Sequence, residues 1–299
     1  MNKPVRLKDC LLAAAIGDIC GSPWEFAPNK ELTLEGLRDC MTFDYRRSVV
    51  LAEDFASTPL FENAGCKLPH YPMATDDSIC TFAIAEAVIN NLDIADNLVR
   101  RCRQENMRGY GGMFRRWIWA MNSERKPYGS FGNGSAMRCS IAGWYPDSLD
   151  EAKDLAKQTA APTHNHPEGI KGAEVSAVAT FMGRCGQSKE EICEYMISQY
   201  PDWKDKTFAD VQPSYQFDVT CQGSVPMVAV CLRESESFED CILKCIQTGG
   251  DSDTLGAIAG PIAYAVYRDA PNYMFDLAER YLPQWCLDVN RQFNERFGL

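Results

Sequence analysis

The chain has 299 residues, a net charge of −11 and 45% hydrophobic residues. This hydrophobic content is enough for a full core and excludes a largely disordered protein. The negative charge argues against general binding to a nucleic-acid backbone. No apolar run reaches transmembrane length and the N-terminus has no secretory pattern, so we expect a cytoplasmic protein without a membrane partner.

The helical spacing of apolar residues recurs along the chain, beginning at residues 7–20. An irregular, proline-containing stretch over 40–73 predicts a long surface loop. Helical spacing then predicts helices over 79–89, 92–106, 113–121, 136–144, 149–159, 167–182, 190–200, 224–232, 238–248, 256–267 and 272–297. Residues 201–220 are predicted as a loop with one extended piece near 215–219. With no sustained alternation, repeat or linker, the sequence predicts one all-α domain over residues 1–299.

The 14 cysteines do not follow a disulfide or zinc pattern. No Cys-x-x-Cys pair occurs, and Cys241 and Cys245 have no further ligand nearby in sequence. In a long chain without a signal peptide, we expect all 14 to be free thiols, mostly buried.

An acidic stretch, residues 249–254, reads Gly-Gly-Asp-Ser-Asp-Thr and precedes an apolar helix. Asp and Thr are common helix caps, so one interpretation is an acidic N-cap without further function. The other is a site for a hard cation, because Mg²⁺ and Ca²⁺ select oxygen ligands. Two aspartates are too few to hold a metal cluster, so further ligands must come from elsewhere.

The second acidic stretch is residues 75–77, Thr-Asp-Asp, at the start of another predicted helix. If the two stretches meet, Asp76, Asp77, Asp251 and Asp253 bring four negative charges together, which repel strongly without cations. Two divalent ions would cancel them, and a binuclear site can orient hydroxyls and activate water. Two independent helix caps remain the alternative.

Three other features are candidates for ligand contact. The loop Gly132-Asn133-Gly134-Ser135 precedes a helix and is typical of a phosphate cradle, although most glycine-rich loops are only turns. His164 and His166 lie in a loop before a proline; we expect one to contact a ligand and the other to be structural, with a transition-metal site as the weaker alternative. Glu25 follows a proline in a loop, where it is either a general acid or base or a solvated surface residue.

Together these residues identify a resemblance to the ADP-ribosylglycohydrolase family. Five motifs occur in the expected order from Leu11 to Tyr267, at residues 17–25, 75–78, 132–138, 163–167 and 249–254. The resemblance implies a compact, orthogonal all-α bundle with a cleft that holds two Mg²⁺ ions, or Mn²⁺ in their place. No essential motif is missing, which argues against an inactive member.

The resemblance also implies roles for individual residues. Glu25 matches an acid on a flap over the metals, His164 matches a position near the ligand, and residues 132–135 match a diphosphate cradle. The implied metal ligands are Thr75, Asp76, Asp77, Asp251, Asp253 and Thr254.

The implied reaction is hydrolysis of the bond between ADP-ribose and an acceptor on a protein or a related conjugate. Two alternatives stay open: a binding or structural protein with little turnover, and a hydrolase of a free nucleotide glycoside. The residues do not indicate the acceptor, and the stretch over 40–73 is the expected determinant of that choice.

Overall fold

The computed structural model describes residues 2–42 and 71–299. Those residues form 16 α-helices, which we number in chain order. The first eight are α1 Leu12–Gly21, α2 Leu34–Thr42, α3 Asp76–Asn90, α4 Ile94–Gln104, α5 Gly112–Trp119, α6 Gly134–Met137, α7 Ser140–Trp144 and α8 Leu149–Ala160. The second eight are α9 Pro167–Arg184, α10 Lys189–Ser198, α11 Phe208–Val211, α12 Cys221–Glu234, α13 Phe238–Gln247, α14 Ser252–Tyr267, α15 Asn272–Tyr281 and α16 Gln284–Phe297.

The all-α prediction is confirmed. Within the described ranges the β-type pairing is one isolated bridge, between Gly132 and Thr220, and residues 215–219 form no strand. One-turn 3₁₀ helices at Ser22–Trp24 and Pro201–Trp203 complete the regular structure of the described residues. The one-domain organisation stays a prediction.

Two predicted helices are each divided in two. The range 272–297 breaks before α16, because Pro283 cannot donate the backbone hydrogen bond that would continue α15. The range 136–144 breaks at Arg138 and Cys139, whose ψ angles are 0° and 6°. The side chain of Arg138, at this break, extends to α8, where its guanidinium donates to the carbonyl of Thr159 at 3.0 Å.

The packing centres on the crossing of α1 and α14, the most extensive contact between helices in the described ranges. Glycines make this crossing close: a Cβ added to Gly17 would lie 1.9 Å from the Gly256 carbonyl oxygen, and one added to Gly256 would lie 2.3 Å from that of Gly17. Every residue of α1 is buried. This crossing brings Asp18 of α1 and the first turn of α14 into one region.

The structure also bears on the predictions for the cysteines, for the loop over 40–73 and for membrane-spanning helices. Twelve described cysteines are free and buried, but Cys40 is disulfide-bonded, so the prediction of free thiols throughout is wrong at this residue. Pairing depends on which side chains the fold brings together, which spacing in the sequence does not reveal. The predicted loop over 40–73 is wrong at residues 40–42, which are the last residues of α2, and residues 43–70 lie outside the described residues. In the described ranges, no helix is both long and apolar enough to cross a membrane.

Candidate active site

A cleft of about 460 Å³ lies where the N-termini of α3 and α14 meet. Its walls come from the segment after α1, the loop between α4 and α5, the glycine-rich loop before α6, and residues 217–219. The predicted site residues that line it are Glu25, Asp76, Asp77, Gly132, Asn133, Gly134, His164, Asp251, Asp253 and Thr254. The two acidic stretches, which are far apart in sequence, therefore meet in one place.

Asp18 lies behind this cleft, is fully buried, and was not predicted as a site residue. Its carboxylate accepts hydrogen bonds from the Thr75 backbone N–H at 2.9 Å, the Thr75 hydroxyl at 2.8 Å and the Ser78 backbone N–H at 3.1 Å. The Ser78 hydroxyl donates to it as well. Asp18 thus ties the first turn of α3 to α1. Burial raises the pKa of Asp18 to about 6. The hydrogen bonds from Thr75 and Ser78 act in the opposite direction and only partly offset this rise.

Thr75 and Asp77 lie at the start of α3. Thr75 is the N-cap, and its side chain accepts a hydrogen bond from the Asp77 backbone N–H. One Asp77 oxygen lies 3.4 Å from the Thr254 hydroxyl. The other, Oδ1, is buried and has no hydrogen-bond partner within the described ranges. Burial, followed by the charges of Asp18 and Asp76, raises the pKa of Asp77 well above its usual range.

Asp251 and Asp253 occupy the start of α14. Asp251 is the N-cap residue, but its side chain makes no capping hydrogen bond; instead it accepts one from Asn133 Nδ2 at 2.8 Å. Asp253 is 3% exposed, and burial raises its pKa well above the usual range, assisted by the charge of Asp77. The capping interpretation therefore explains Thr75 but not Asp251.

Carboxylate oxygens converge in two groups that share Asp253. Oxygens of Asp18, Asp77 and Asp253 lie within 4.8 Å of one another, as do oxygens of Glu25, Asp251 and Asp253. Oxygen donors suit a hard divalent cation, and the unpartnered Asp77 oxygen has a free lone pair in a buried position. The arrangement can hold metal ions. Asp76 lines the same cleft but belongs to neither group; its backbone N–H donates to the Arg108 carbonyl at 2.7 Å.

Glu25 follows the 3₁₀ turn after α1 and is half-buried at the cleft wall. Burial raises its pKa to about 7, and the charge of Asp251 adds to the effect. The next residue, Phe26, is 70% exposed, and its ring stacks on that of Phe217 at 5.5 Å. This contact joins the Glu25 segment to the loop before α12.

Three residues of the glycine-rich loop, Gly132, Asn133 and Gly134, line the cleft, whereas Ser135 does not. The backbone N–H of Asn133 donates to the Val219 carbonyl at 2.8 Å, whereas those of Gly134 and Ser135 have no acceptor within the described ranges. The Ser135 side chain points elsewhere: it is fully buried and its hydroxyl donates to the Gly169 carbonyl at 2.6 Å. Because Ser135 lies behind the cleft lining, its hydroxyl is not available to a ligand.

The two histidines have different surroundings. His164 is 5% exposed and lines the cleft, and its Nδ1 lies 2.7 Å from the Thr163 hydroxyl. That hydroxyl accepts a hydrogen bond from Arg138 at 2.7 Å. Burial, followed by the Arg138 charge, lowers the pKa of His164 well below its usual range, so the ring is neutral. His166 instead caps α9 by accepting from the Glu168 backbone N–H at 3.2 Å.

Comparisons with known proteins agree on one family. The ADP-ribosylglycohydrolase profile matches residues 2–271. ADP-ribosylhydrolase ARH3 of Gallus gallus is 24% identical over 326 residues, covering 88% of this chain and 86% of that protein. ADP-ribosyl-dinitrogen reductase glycohydrolase of Rhodospirillum rubrum is 28% identical over 180 residues, covering 57% of this chain and 56% of that protein.

The fold has a counterpart among solved structures. An ADP-ribosylglycohydrolase-related protein complex aligns with a TM-score of 0.65 at 20% identity, covering 95% of this chain and 96% of that chain. At this identity the likeness shows the shared fold, and the sequence profile over residues 2–271 shows the relationship. The chain therefore belongs to the ADP-ribosylglycohydrolase family.

Proposed function

We propose that this protein is a Mg²⁺-dependent hydrolase that cleaves the glycosidic bond between ADP-ribose and an acceptor. The acceptor is a protein side chain or a related conjugate, so the reaction reverses ADP-ribosylation. Family membership supports the reaction class. The names of the chicken and R. rubrum relatives point to the same class of substrate.

The observation that carries the proposal is the pair of carboxylate groups that share Asp253 at the base of the cleft. Buried carboxylates repel one another unless cations neutralise them. We assign the site to two Mg²⁺ ions, with Mn²⁺ as the alternative. The residues that would hold them are the set that the resemblance implies: Thr75, Asp76, Asp77, Asp251, Asp253 and Thr254. Asp77, Asp251 and Asp253 of this set belong to the two carboxylate groups. In those groups Asp18 would hold the first turn of α3 in place, and Glu25 would transfer protons.

When bound, the ions would orient the ribose hydroxyls and lower the pKa of a water molecule. The protein's own residues do the rest. Glu25, whose pKa of about 7 lets it exchange a proton near neutral pH, takes a proton from the attacking water and returns one to the leaving acceptor. Water oxygen bonds to ribose C1 as the bond from C1 to the acceptor breaks, with oxocarbenium-like charge in the transition state.

The remaining cleft residues hold the rest of the ADP-ribose. The free backbone N–H group of Gly134 would receive the diphosphate, and Asn133 holds the loop against Asp251. His164, neutral and beside this loop, would donate a hydrogen bond to the ligand.

The test is an assay of ADP-ribosyl-arginine, ADP-ribosyl-serine and free ADP-ribose conjugates by mass spectrometry. We expect ADP-ribose release from at least one of them by the Mg²⁺-loaded protein. Asp251→Asn keeps the shape of the side chain and should abolish both turnover and normal Mg²⁺ binding in calorimetry. Tight binding of ADP-ribose without cleavage of any conjugate would instead indicate a binding protein. Cleavage of free nucleotide glycosides alone would indicate a hydrolase of free nucleotides.

A further inference from the structure

The segment over residues 100–126 differs in charge from the rest of this acidic protein. It contains eight arginine or lysine residues and two glutamates, in a chain whose net charge is −11. Most of these cations have partners. Arg100 and Arg101 pair with Glu86, and Arg108 pairs with Glu105. These three arginines are therefore neutralised by ion pairs within the protein.

Two arginines of α5 lack such ion pairs. Arg115 and Arg116 are exposed, and their side chains have no ion pair or hydrogen bond within residues 2–42 and 71–299. The buried side of the helix is Phe114, Trp117 and Ile118. At helical spacing, the opposite side consists of Arg115, Arg116 and Trp119, which we call the arginine face.

The arginine face also has exposed apolar surface. Trp119 is 55% exposed, with Arg103 stacked over its ring at 5.2 Å. Met113, at the edge of the face, is 57% exposed. Exposed Arg, Trp and Met side chains together are typical of protein-binding surfaces.

The face adjoins the mouth of the cleft. Gly111, Gly112 and Met113, at the start of α5, line the cleft wall. Each helical residue adds about 1.5 Å along the axis, so Arg115 and Arg116 begin within about 6 Å of these lining residues. A chain leaving the cleft on this side would pass over the arginines.

We propose that the arginine face binds an acidic stretch of the polypeptide that carries the ADP-ribose. The proposal rests on the proposed function and adds the kind of protein substrate: one with Asp and Glu near the modified residue. Charge complementarity selects this occupant, because Arg115 and Arg116 are exposed beside the cleft mouth and neither has an ion pair within the described residues. The apolar surfaces of Trp119 and Met113 suit side chains between the acidic residues.

The test uses two synthetic ADP-ribosylated peptides that share the modified residue and differ in acidic or basic flanks. Binding is measured by fluorescence anisotropy on a Glu25→Gln background, so it does not require turnover. We expect the acidic peptide to bind about 3- to 10-fold more tightly at low salt, with the preference decreasing as salt rises. Arg115→Glu combined with Arg116→Glu should remove or reverse the preference.

A matched control is Lys153→Glu combined with Lys157→Glu, which reverses two exposed charges on α8 away from the cleft lining. It should keep the preference. With Glu25 present, Arg115→Glu combined with Arg116→Glu should cleave a small ADP-ribose conjugate at the normal rate. Equal binding of both peptides, or a preference that survives in the arginine variant, would overturn the proposal. So would tighter arginine-dependent binding of a single-stranded oligonucleotide than of the acidic peptide. Failure of the wild-type protein to release ADP-ribose would count against the proposed function alone.

Discussion

Glu25 lines the cleft and is only half-buried, and its ionisation changes near neutral pH. Its pKa of about 7 results from burial and from the nearby charge of Asp251. The Phe26–Phe217 contact holds its segment against the opposite loop at the exposed end of the cleft. A carboxyl group with these properties suits proton transfer better than permanent metal binding.

We predict that Glu25→Gln binds Mg²⁺ and ADP-ribose normally but loses roughly 100-fold or more in turnover, the usual scale for a general acid or base. Gln keeps the shape and cannot exchange the proton. Single-turnover kinetics with calorimetry of Mg²⁺ and ADP-ribose will check this. Near-normal turnover would remove Glu25 from the mechanism, and a parallel loss of Mg²⁺ affinity would make it a metal ligand.

Thr163 links a buried arginine to the histidine of the cleft. Because Arg138 can only donate, the Thr163 hydroxyl accepts from it and is free to donate its own proton to His164 Nδ1. When it does so, the ring proton of His164 lies on Nε2, which faces the glycine-rich loop and can then donate to a ligand.

We predict that Thr163→Val weakens ADP-ribose binding by about tenfold, because the histidine loses the partner that fixes its tautomer. Titration of ADP-ribose will measure the change, and ¹⁵N chemical shifts of the ring will report the tautomer. Thr159→Val is the control, since the Thr159 hydroxyl bonds to the Ala156 carbonyl and not to His164. Equal effects of the two variants would contradict the role of Thr163.

The sequence predicted the acidic residues of the cleft but not Asp18. Asp76, Asp77, Asp251 and Asp253 occur in short polar clusters, which are visible without a fold. Asp18 is a single acid inside an apolar helix, and its partners Thr75 and Ser78 are brought to it only by packing. The sequence does contain one indication of its role. A carboxylate in an apolar, buried helix is stable only with several hydrogen bonds, so an acid at this position predicts polar partners around it.

At the scale of elements, the crossing of α1 and α14 determines where the acidic turns lie. The backbones touch at Gly17 and Gly256, so any side chain at either position would force the helices apart. Moving α14 would also move Asp251 and Asp253 relative to α3. Stability and metal binding are therefore coupled through this crossing.

We predict that Gly256→Ala lowers the free energy of unfolding by about 2 kcal/mol or more, the scale of overpacking in a closed core, and weakens Mg²⁺ binding. Urea denaturation and calorimetry will measure the two effects. Gly112→Ala is the control, because a Cβ there meets nothing within 4 Å and Ala favours a helix. An unchanged midpoint for Gly256→Ala would contradict the packing described for α1 and α14.

Most helix positions were predictable from the sequence, since apolar spacing depends on local pattern. The exceptions are α2 and α11, and α11 lies in the stretch 201–220 that was predicted as a loop. The residues at which helices begin and end were less predictable. The start of α14 lies at Ser252, four residues before the predicted start at Gly256, because Asp253 and Thr254 are helical despite their polarity. The break at Arg138 depends on a buried guanidinium that reaches carbonyls near the end of α8, a contact that apolar spacing cannot express.

At the scale of the molecule, the cleft makes the metal-free protein sensitive to pH. Burial and neighbouring charges raise the pKa of Asp76 to about 8, from an ordinary 3.8. Glu25 rises to about 7 from 4.5, and Asp18 to about 6 from 3.8. The unfolded chain releases these protons near pH 4, whereas the folded chain keeps them, so rising pH favours unfolding.

We predict that the protein in EDTA loses stability as the pH rises from about 5 to 8, with a melting temperature lower by about 5 °C or more at pH 8. Added Mg²⁺ should restore more stability at pH 8 than at pH 6, because protons compete with the ions for the same carboxylates. Differential scanning calorimetry at both pH values will measure this. A metal-free protein that is more stable at pH 8 would contradict the proposed charge balance.

The most direct test of the central claim is ADP-ribose release from ADP-ribosylated substrates as Mg²⁺ is added stepwise to metal-free protein. The buried carboxylate groups that share Asp253 predict no release in EDTA and a rate that saturates at about two ions per chain. Full activity in EDTA, or no ADP-ribose from any acceptor at saturating Mg²⁺, would contradict the account.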